Sequence, residues 1–534
     1  MALTLHYLEE DFTMCNRTLE VEIFPGMHTG LAIASGLKAM MERWGLRSEM
    51  CTMLVRDGAS NAVLGSNILG VKNMSCIAHY LHLVLGSALA KAKASSTSSV
   101  IEEPLETNDG VDESVPGLVS ETRAKNDEIP QASPQEQQAS LAAIDNFVNS
   151  TVTENEAATD APAQVRSIVQ RFRALSTYFH TSAKATNRLD EIQVKVWKRS
   201  ALHLITDCPT RWDSCYDMLI RLIELEAPLG DFFARLDRPD GKKEFKELAQ
   251  DKLPTPKEWF AIKCLVAILE PIAAVTKTLE GCSYPTLALV FPMLRRIKKV
   301  LGDTNIFAKQ AVLAGRQDFQ AETLALMQKV RNAILELFKQ RFTGMSFDLV
   351  WITFLDPRFY KMKLLQPHEI ALAKEYLIDA AEAARGFSSE PASPELRSHG
   401  ARVRSPLDAT ASVWNDILGS DDDDEEDGSL AREQLSIHRL RAECSNELDT
   451  YLKEAQTVPR NNDPLVWWKA NGHKYPALKL LARKWLGCVA TSVPSERAFS
   501  TVGNTVSAKR CQLDPELLRD LVFMAENYVG PHQK

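Results

Sequence analysis

Asp57, in the stretch "MCTMLVRDGASN", is the first residue whose position suggests chemistry. The run from Met50 to Val55 has the apolar composition of a buried strand, and loop-forming residues follow it. Folds with an α/β sheet usually place reactive groups at the carboxyl ends of strands, which makes Asp57 a candidate catalytic carboxylate. The spacing alone favours a simpler role, an aspartate in a turn or at a helix cap.

Glu496 is a second candidate carboxylate, in the stretch "TSVPSERAFSTVGN". The sequence predicts that a helix starts here and that Glu496 lies in its first turn. A carboxylate at a helix N-terminus is stabilised by the macrodipole by roughly 0.3–1 kcal/mol, which is reason enough for an acid at this place. The residue is therefore either a helix-stabilising charge or one member of a dispersed catalytic set.

Cys76 and His79, in "CIAH", have a spacing that suits two metal ligands. A zinc site with four ligands needs two more, and none follows at a matching spacing. His82 lies one helical turn further along but extends the group to three at most. Buried packing with local hydrogen bonds is the favoured interpretation.

Two aromatic motifs are candidates for contacts with a partner. Arg211 and Trp212, in "CPTRWDSCYDML", combine a cation with a ring that can stack on an unpaired base, although the same pair also suits the edge of a core. The stretch "DPLVWWKANGHKYPALKLLARKWLG" holds three tryptophans and a tyrosine, which fit an interface as well as a core.

The whole chain has the composition of a globular protein, with 534 residues, 45% hydrophobic and 25% charged. Its length predicts three or four units. A net charge of −8 argues against electrostatic binding of nucleic acid by the chain as a whole. The ten dispersed cysteines fit reduced thiols, and no apolar run approaches the roughly 18–20 residues of a membrane span, so we expect an intracellular protein without membrane contact.

Two acidic breaks divide the chain into three folded parts. Residues 95–163 and 388–431 are too polar and charged to form a core, and we expect both to be disordered. Residues 1–94 show two strand-like runs, a helix ending at Gly45, another strand and another helix, which predicts an α/β sheet domain. Residues 164–387 and 432–534 carry helical apolar spacing almost throughout.

In this order, several stretches resemble the hAT superfamily of transposases and the host proteins derived from them, including the BED-finger relatives. The matching motifs are "LVRDGASN", "CIAHYLHLVLGSAL", "PTRWDSCYDML", "FLDPRF" and the C-terminal block from "DPLVWWKANG" to "SERAFSTVGN". The resemblance implies a ribonuclease-H-like fold split by a large helical insertion, with residues 432–534 completing the fold and forming a dimerisation region. The fold class expected is thus α/β plus all-α.

The resemblance also assigns roles to single residues. Proteins of this family cut DNA with three carboxylates that hold two divalent metals. By motif, Asp57 is the second carboxylate and Glu496 the third, while Arg211 and Trp212 are DNA contacts. It also implies a homodimer or higher homo-oligomer, DNA as a further partner and a place in the nucleus. The side chains expected to carry dimerisation are Trp467, Trp468, Tyr475, Leu480, Leu481, Trp485 and Phe499.

The first carboxylate has no counterpart in this sequence, because in the family it lies on a strand before "LTLHYLEE". Asp11 belongs to the next hairpin and is no substitute, and a BED-type finger is also missing. Two of three ligands hold too little charge for paired Mg²⁺, so we expect a protein without enzyme activity or cofactor. The alternative is an active, Mg²⁺-dependent transposase represented by an N-terminally truncated sequence.

Overall fold

The computed structural model describes residues 1–89, 160–207, 212–248, 253–388, 425–505 and 515–528, apart from positions 23, 25, 26, 344, 346, 347 and 364. Most of the two predicted acidic disordered segments, 95–159 and 389–424, lies outside the described residues. Arg211 does as well.

The chain opens with a β-hairpin, as the sequence predicts. Strand β1 (Ala2–Leu8) pairs antiparallel with β2 (Met14–Val21). Asp11 lies in the connecting turn, where its carboxylate accepts a hydrogen bond from the N–H of Thr13 at 2.9 Å and pairs with Lys469 at 2.7 Å. Its predicted place in the hairpin is confirmed.

A second pair of strands is parallel and short. Strand β3 (Leu54–Arg56) pairs with β4 (Asn73–Ser75). The strand predicted from Met50 to Val55 therefore begins later, and Met50 belongs to a 3₁₀ turn, Ser48–Met50. Strand β4 was not predicted, because its three residues, Asn, Met and Ser, form no strand-like apolar run.

The four strands of the described residues form two sheets of two strands, and the single α/β sheet that the sequence predicts is not formed there. The segment from Gly487 to Ser495 lies alongside β1 instead. A Cβ on Gly487 would come within 3.1 Å of the backbone nitrogen of Leu8, and the hydroxyls of Thr4 and Ser495 are 3.0 Å apart. Each strand thus has one edge without a strand partner among the described residues.

Helices make up the rest of the described chain, nineteen of them in the α form. In chain order they are α1 (Gly30–Arg43), α2 (Ser60–Ile68), α3 (Ile77–Leu89), α4 (Asp160–Thr181), α5 (Ala183–Lys195), α6 (Trp212–Glu224), α7 (Glu226–Leu236), α8 (Pro239–Glu244), α9 (Pro256–Leu279), α10 (Leu287–Gly302), α11 (Ala308–Ala314), α12 (Gln320–Phe342), α13 (Asp348–Phe354), α14 (Pro367–Ser388), α15 (Glu425–Ala455), α16 (Pro464–Asn471), α17 (Pro476–Leu486), α18 (Val493–Thr505) and α19 (Pro515–Asn527).

The predicted end of α1 is confirmed. Gly45 has φ +65°, its N–H donates to the carbonyl of Glu42, and the N–H of Leu46 donates to the carbonyl of Met41. These two bonds satisfy the last carbonyls of the helix, and glycine adopts the positive φ without steric cost.

Both acidic breaks are shorter than the sequence predicts. Helix α4 begins at Asp160 rather than after residue 163, because Ala161 continues the buried face of Val165, Val169 and Phe172 by one turn. Helix α15 begins at Glu425, inside the segment expected to be disordered up to residue 431. Carboxylates in the first turn of a helix are stabilised by its dipole, which explains how an acidic stretch begins this helix.

Helix α9 is the centre of the helical part and corrects one prediction. By length and composition it is apolar enough to cross a membrane, and 61% of its most apolar window is buried inside the fold. It packs against α3, α4, α6, α10 and α12, so its apolar residues face other helices on most sides. This is the composition of a central core helix, and the sequence does contain an apolar run of spanning length.

Candidate functional site

Asp57 leaves β3 directly, at the strand end where the sequence places it. Its carboxylate is exposed and accepts a hydrogen bond from the N–H of Ala59 at 3.1 Å, just before α2 begins. The guanidinium of Arg56 donates to the backbone oxygen of Asp57 at 3.0 Å and to the hydroxyl of Ser75 at 2.8 Å, which ties this loop to β4. Within the described chain Asp57 therefore acts as a turn aspartate that leads into a helix.

Gly58 brings this loop against α3. A Cβ at this position would lie 3.3 Å from Cδ2 of His79 and 3.4 Å from Cε1 of Tyr80. Since such distances are tighter than ordinary carbon contacts, glycine permits the close approach. As a result, the residue that follows Asp57 lies against the His79 ring.

Cys76 joins the start of α3 to the segment before α18. Its buried sulfur accepts hydrogen bonds from the N–H groups of Ser492 at 3.3 Å and His79 at 3.5 Å. Burial raises the pKa of the Cys76 thiol, while these donors act against the rise. The sulfur is thus a protonated hydrogen-bond acceptor in the core, and the packing interpretation of the "CIAH" motif describes it better than metal ligation.

Glu496 lies in the first turn of α18, as predicted, and its side chain is exposed. Its Oε1 accepts a hydrogen bond from the hydroxyl of Ser492 at 3.2 Å. The carboxylate is near enough to His82 on α3 for its charge to act on the imidazole. Burial and then the neighbouring His79 lower the pKa of His82, while Asp213 and Glu496 oppose that shift.

The two candidate carboxylates therefore lie in segments that pack against the start of α3, through Gly58 on His79 and Ser492 on Cys76. Asp57 precedes the glycine that packs on His79, the charge of Glu496 acts on His82, and the centroids of the two imidazole rings are 6.3 Å apart. Carboxylates and neutral imidazoles can attract a cation or accept a proton. Within the described ranges, no three side chains of His, Cys, Asp or Glu are close enough together to hold a metal ion.

Asp213 is a member of this neighbourhood that the sequence did not single out. It lies in the first turn of α6, faces solvent and adds negative charge near His82 and Asp217. The sequence feature that could have identified Asp213 is its position directly after Trp212 in the "TRWD" motif. Trp212 itself is the first residue of α6, and this helix contacts α3.

Five of the seven side chains expected at a dimer contact are buried within the chain instead. Trp467, Trp468, Tyr475, Leu481 and Trp485 are each at most 8% exposed. They cannot present a surface to a second copy while this core is closed. Only Leu480 and Phe499 are exposed, at 39% and 45%.

The buried aromatics form a cluster that holds the C-terminal region to the helical part. Nε1 of Trp468 donates to the carbonyl of Leu355 at 2.7 Å, and the hydroxyl of Tyr451 donates to the carbonyl of Phe354 at 2.7 Å. The rings of Tyr451 and Trp468 stack with their centroids 5.3 Å apart. Large buried rings whose polar atoms are satisfied contribute strongly to stability.

Helix α19 does present an apolar surface. Leu517, Leu521, Met524 and Tyr528 follow one another at spacings of four, three and four residues, and they are 38–72% exposed. On another side of the helix, Val522 is buried, and the side-chain amide of Asn527 bonds to the backbone N–H and C=O of Thr18 at 3.1 and 2.7 Å. The four exposed residues, here called the α19 stripe, form one face of a docked helix.

Two stretches match described family regions. Residues 447–528 match the hAT family C-terminal dimerisation region, and residues 150–268 match the ZBED1 RNase-like helical domain. The first match ends at the last residue of the α19 stripe. The second covers α4 to α8 and the first half of α9.

Similar full-length proteins are BED zinc-finger proteins and hAT transposases. Zinc finger BED domain-containing protein 4 of Homo sapiens is 25% identical over 73% of this chain and 29% of its own length. The "Putative AC transposase" of Zea mays is 20% identical over 98% of this chain and 54% of its own length. Zinc finger BED domain-containing protein DAYSLEEPER of Arabidopsis thaliana is 24% identical over 64% of this chain and 43% of its own. The chain thus spans about a third to a half of the length of these relatives.

Proposed function

Because the chain contains an hAT dimerisation region and a ZBED1 RNase-like helical domain and is related to hAT transposases, we propose that it is a transposase-derived nuclear protein that acts by self-association and contacts DNA without cutting it. The observation that carries the proposal is the α19 stripe, which lies inside the matched dimerisation region.

The physical reason for self-association is the cost of leaving this stripe in water. A fully buried Leu or Met side chain contributes roughly 1.5–3 kcal/mol relative to an exposed one, and the two leucines, one methionine and one tyrosine of the stripe suit the seam between two helices. A stripe that pairs with itself across a two-fold axis also gives a closed dimer. The aromatic cluster cannot serve in this way because it is already packed inside the chain.

The test is the oligomeric state of the full chain, measured by size-exclusion chromatography with light scattering. The wild-type protein should be a dimer or larger at micromolar concentration, and the double variant Leu521→Asp with Met524→Asp should be a monomer. The matched control is Val312→Asp with Leu313→Asp, two exposed apolar residues on α11 that are 81% and 76% accessible.

Circular dichroism and thermal unfolding should show that both double variants keep the fold. A wild-type chain that is monomeric would contradict the proposal. So would a stripe variant that keeps the wild-type mass.

Strand cleavage is the second candidate function, and one observation supports it: the segments that carry Asp57 and Glu496 both pack against the start of α3, through Gly58 on His79 and Ser492 on Cys76. In the family resemblance these are two of three carboxylates that hold paired Mg²⁺. We expect the wild-type chain with Mg²⁺ to cut a duplex no faster than the double variant Asp57→Asn with Glu496→Gln. Cleavage that needs Mg²⁺ and disappears in this variant would establish an active transposase instead.

A nuclear place is proposed on the strength of the relatives, whose names describe BED zinc-finger proteins and transposases. Fluorescence microscopy of the tagged full chain should show nuclear enrichment. Exclusion from the nucleus would contradict this part of the proposal.

A further inference from the structure

A large open groove lies between the helical part and the C-terminal region, and its lining does not include Asp57, Glu496 or the α19 stripe. Its volume is about 820 Å³, within the range of ligand sites. It is built from the end of α9, the start of α10, the "DPRF" turn and its following residues, and the loop that leads into α16. Its lining includes Arg358, Phe359, Tyr360, Lys361, Lys363 and Arg460.

The charge of this groove is opposite to that of the chain. Four of its lining residues are cations and one is an anion, Asp463, whereas the whole protein has a net charge of −8. Asp463 is also engaged, because its carboxylate accepts a hydrogen bond from the N–H of Leu465 at 2.8 Å at the start of α16. Lys361, Lys363 and Arg460 are exposed and form no ion pair within the described chain.

Two adjacent aromatic rings lie between these cations in the groove. The Cζ of Arg358 lies 5.9 Å from the ring centroid of Phe359, and Nζ of Lys361 lies 5.3 Å from that of Tyr360. Both rings are half-buried, so part of each faces the groove. Rings held beside cations are the elements that bind stacked bases and the phosphates between them.

The backbone that carries Phe359, Tyr360 and the two lysines is held in place by contacts of its neighbours. The guanidinium of Arg358 donates to both carboxylate oxygens of Asp356, with bonds of 2.6 and 2.9 Å, and Asp356 is fully buried. The same carboxylate accepts a hydrogen bond from the N–H of Arg358 at 3.1 Å. Met362, between the two exposed lysines, is buried with φ +39°. These contacts fix the backbone from which the rings and lysines project.

We propose that this groove binds single-stranded nucleic acid, with bases stacked on Phe359 and Tyr360 and phosphates held by Lys361, Lys363 and Arg460. An acidic peptide would satisfy the positive charge but would leave the rings without flat partners, so the aromatic lining favours a nucleic acid. The proposal rests on the DNA contact in the proposed function and names its site and its single-stranded ligand. It requires neither the α3 site nor a second copy of the chain, so the loss of this binding would leave the self-association test unaffected.

The test measures binding of the full-length protein to a labelled oligothymidine by fluorescence anisotropy. The oligomer has about 12 nucleotides, a length within the site sizes of single-strand binders. Two probes of other chemistry accompany it: an abasic phosphodiester oligomer of the same length and the chain's own acidic peptide Ser420–Ser429. The groove variant is Lys361→Glu with Lys363→Glu. Its matched control, Lys242→Glu with Lys243→Glu on α8, makes the same change in charge on exposed lysines outside the groove.

We expect oligothymidine to bind and the groove variant to lose about tenfold or more in affinity, with a salt dependence reduced by about 1.4 in its logarithmic slope, since two phosphate contacts are lost. Tyr360→Leu should lose about tenfold through the missing stacking contact. The lysine control should bind as the wild type does, and thermal unfolding should be alike for all variants.

Equal affinity for the abasic oligomer would overturn the proposal, because it would show attraction to charge alone. Displacement of oligothymidine by the acidic peptide at equal concentration would identify an acidic protein segment as the ligand and overturn it as well. Equal losses in the groove variant and the α8 control would place the binding elsewhere. Crosslinking of an iodinated oligomer to residues 358–363, mapped by mass spectrometry, would support it directly.

Discussion

The aromatic cluster and the α19 stripe both lie in the region that matches the hAT dimerisation domain, but the cluster is buried and the stripe is exposed to solvent. In the cluster, Trp468 is fully buried and its indole N–H is bonded to the carbonyl of Leu355. In the stripe, Tyr528 is 72% exposed and Met524 is 61% exposed. One part of the region thus stabilises the chain, and another is free to contact a second chain.

This difference teaches that aromatic content alone does not locate an interface. Trp467 and Trp468 are consecutive on α16 and both are buried, so partner elements cover more than one face of this helix. The stripe residues are smaller and less conspicuous in the sequence. Their four-three-four spacing is what marks one side of a helix.

Truncating the cluster should have the largest effect. We expect Trp468→Ala to lower the free energy of unfolding by about 3–5 kcal/mol, because it opens a cavity and leaves the carbonyl of Leu355 without its donor. Chemical denaturation measures this change. Val466→Ala on the same helix is the control, since Val466 is 60% exposed and its loss should cost less than about 0.5 kcal/mol. Similar losses in both variants would show that the cluster is not the stabilising element.

Much of the local structure could be predicted from the sequence, because local residues determine it. The hairpin, the Gly45 end of α1 and the position of Asp57 after a strand follow from apolar spacing and turn chemistry. The division into two sheets could not, since the segment beside β1 comes from residues 487–495, far along the chain.

For the candidate site, the sequence predicts individual residues but not how they are brought together. The sequence identifies Asp57 and Glu496 as loop and helix-start acids, but their common neighbour, α3, emerges from the packing of Gly58 on His79 and of Ser492 on Cys76. Asp213 joins the site because α6 begins there, which no local pattern indicates.

A smaller effect is expected from the contact that docks α19 on β2. Asn527→Ala removes two hydrogen bonds to the backbone of Thr18 and should cost about 1–2 kcal/mol. Because it releases the helix that carries the stripe, dimer affinity should fall as well, whereas the cluster should stay closed. Near-ultraviolet circular dichroism of the tryptophans and light scattering check the two parts. The exposed Asp520→Ala on the same helix should change neither.

The smallest effect concerns pH. Burial lowers the pKa of His82 and of His6 from 6.5, so the unfolded chain takes up protons that the folded chain does not. Stability from these residues is therefore full above about pH 7 and is lost as the pH falls through 6.5 toward the lower folded pKa. The melting temperature should decrease from about pH 7 to about pH 5, and His82→Gln should reduce that decrease. A pH dependence that is the same in the wild type and in His82→Gln would contradict the role of burial.

Hydrogen–deuterium exchange tests the central claim most directly, by comparing the wild-type chain with the Leu521→Asp, Met524→Asp variant. We predict that backbone amides of residues 515–528 exchange faster in the variant, because they lose the cover of a second copy, while amides of residues 464–486 exchange equally slowly in both. Faster exchange in residues 464–486 with no change in 515–528 would contradict the account, since it would place the contact between chains in the aromatic cluster.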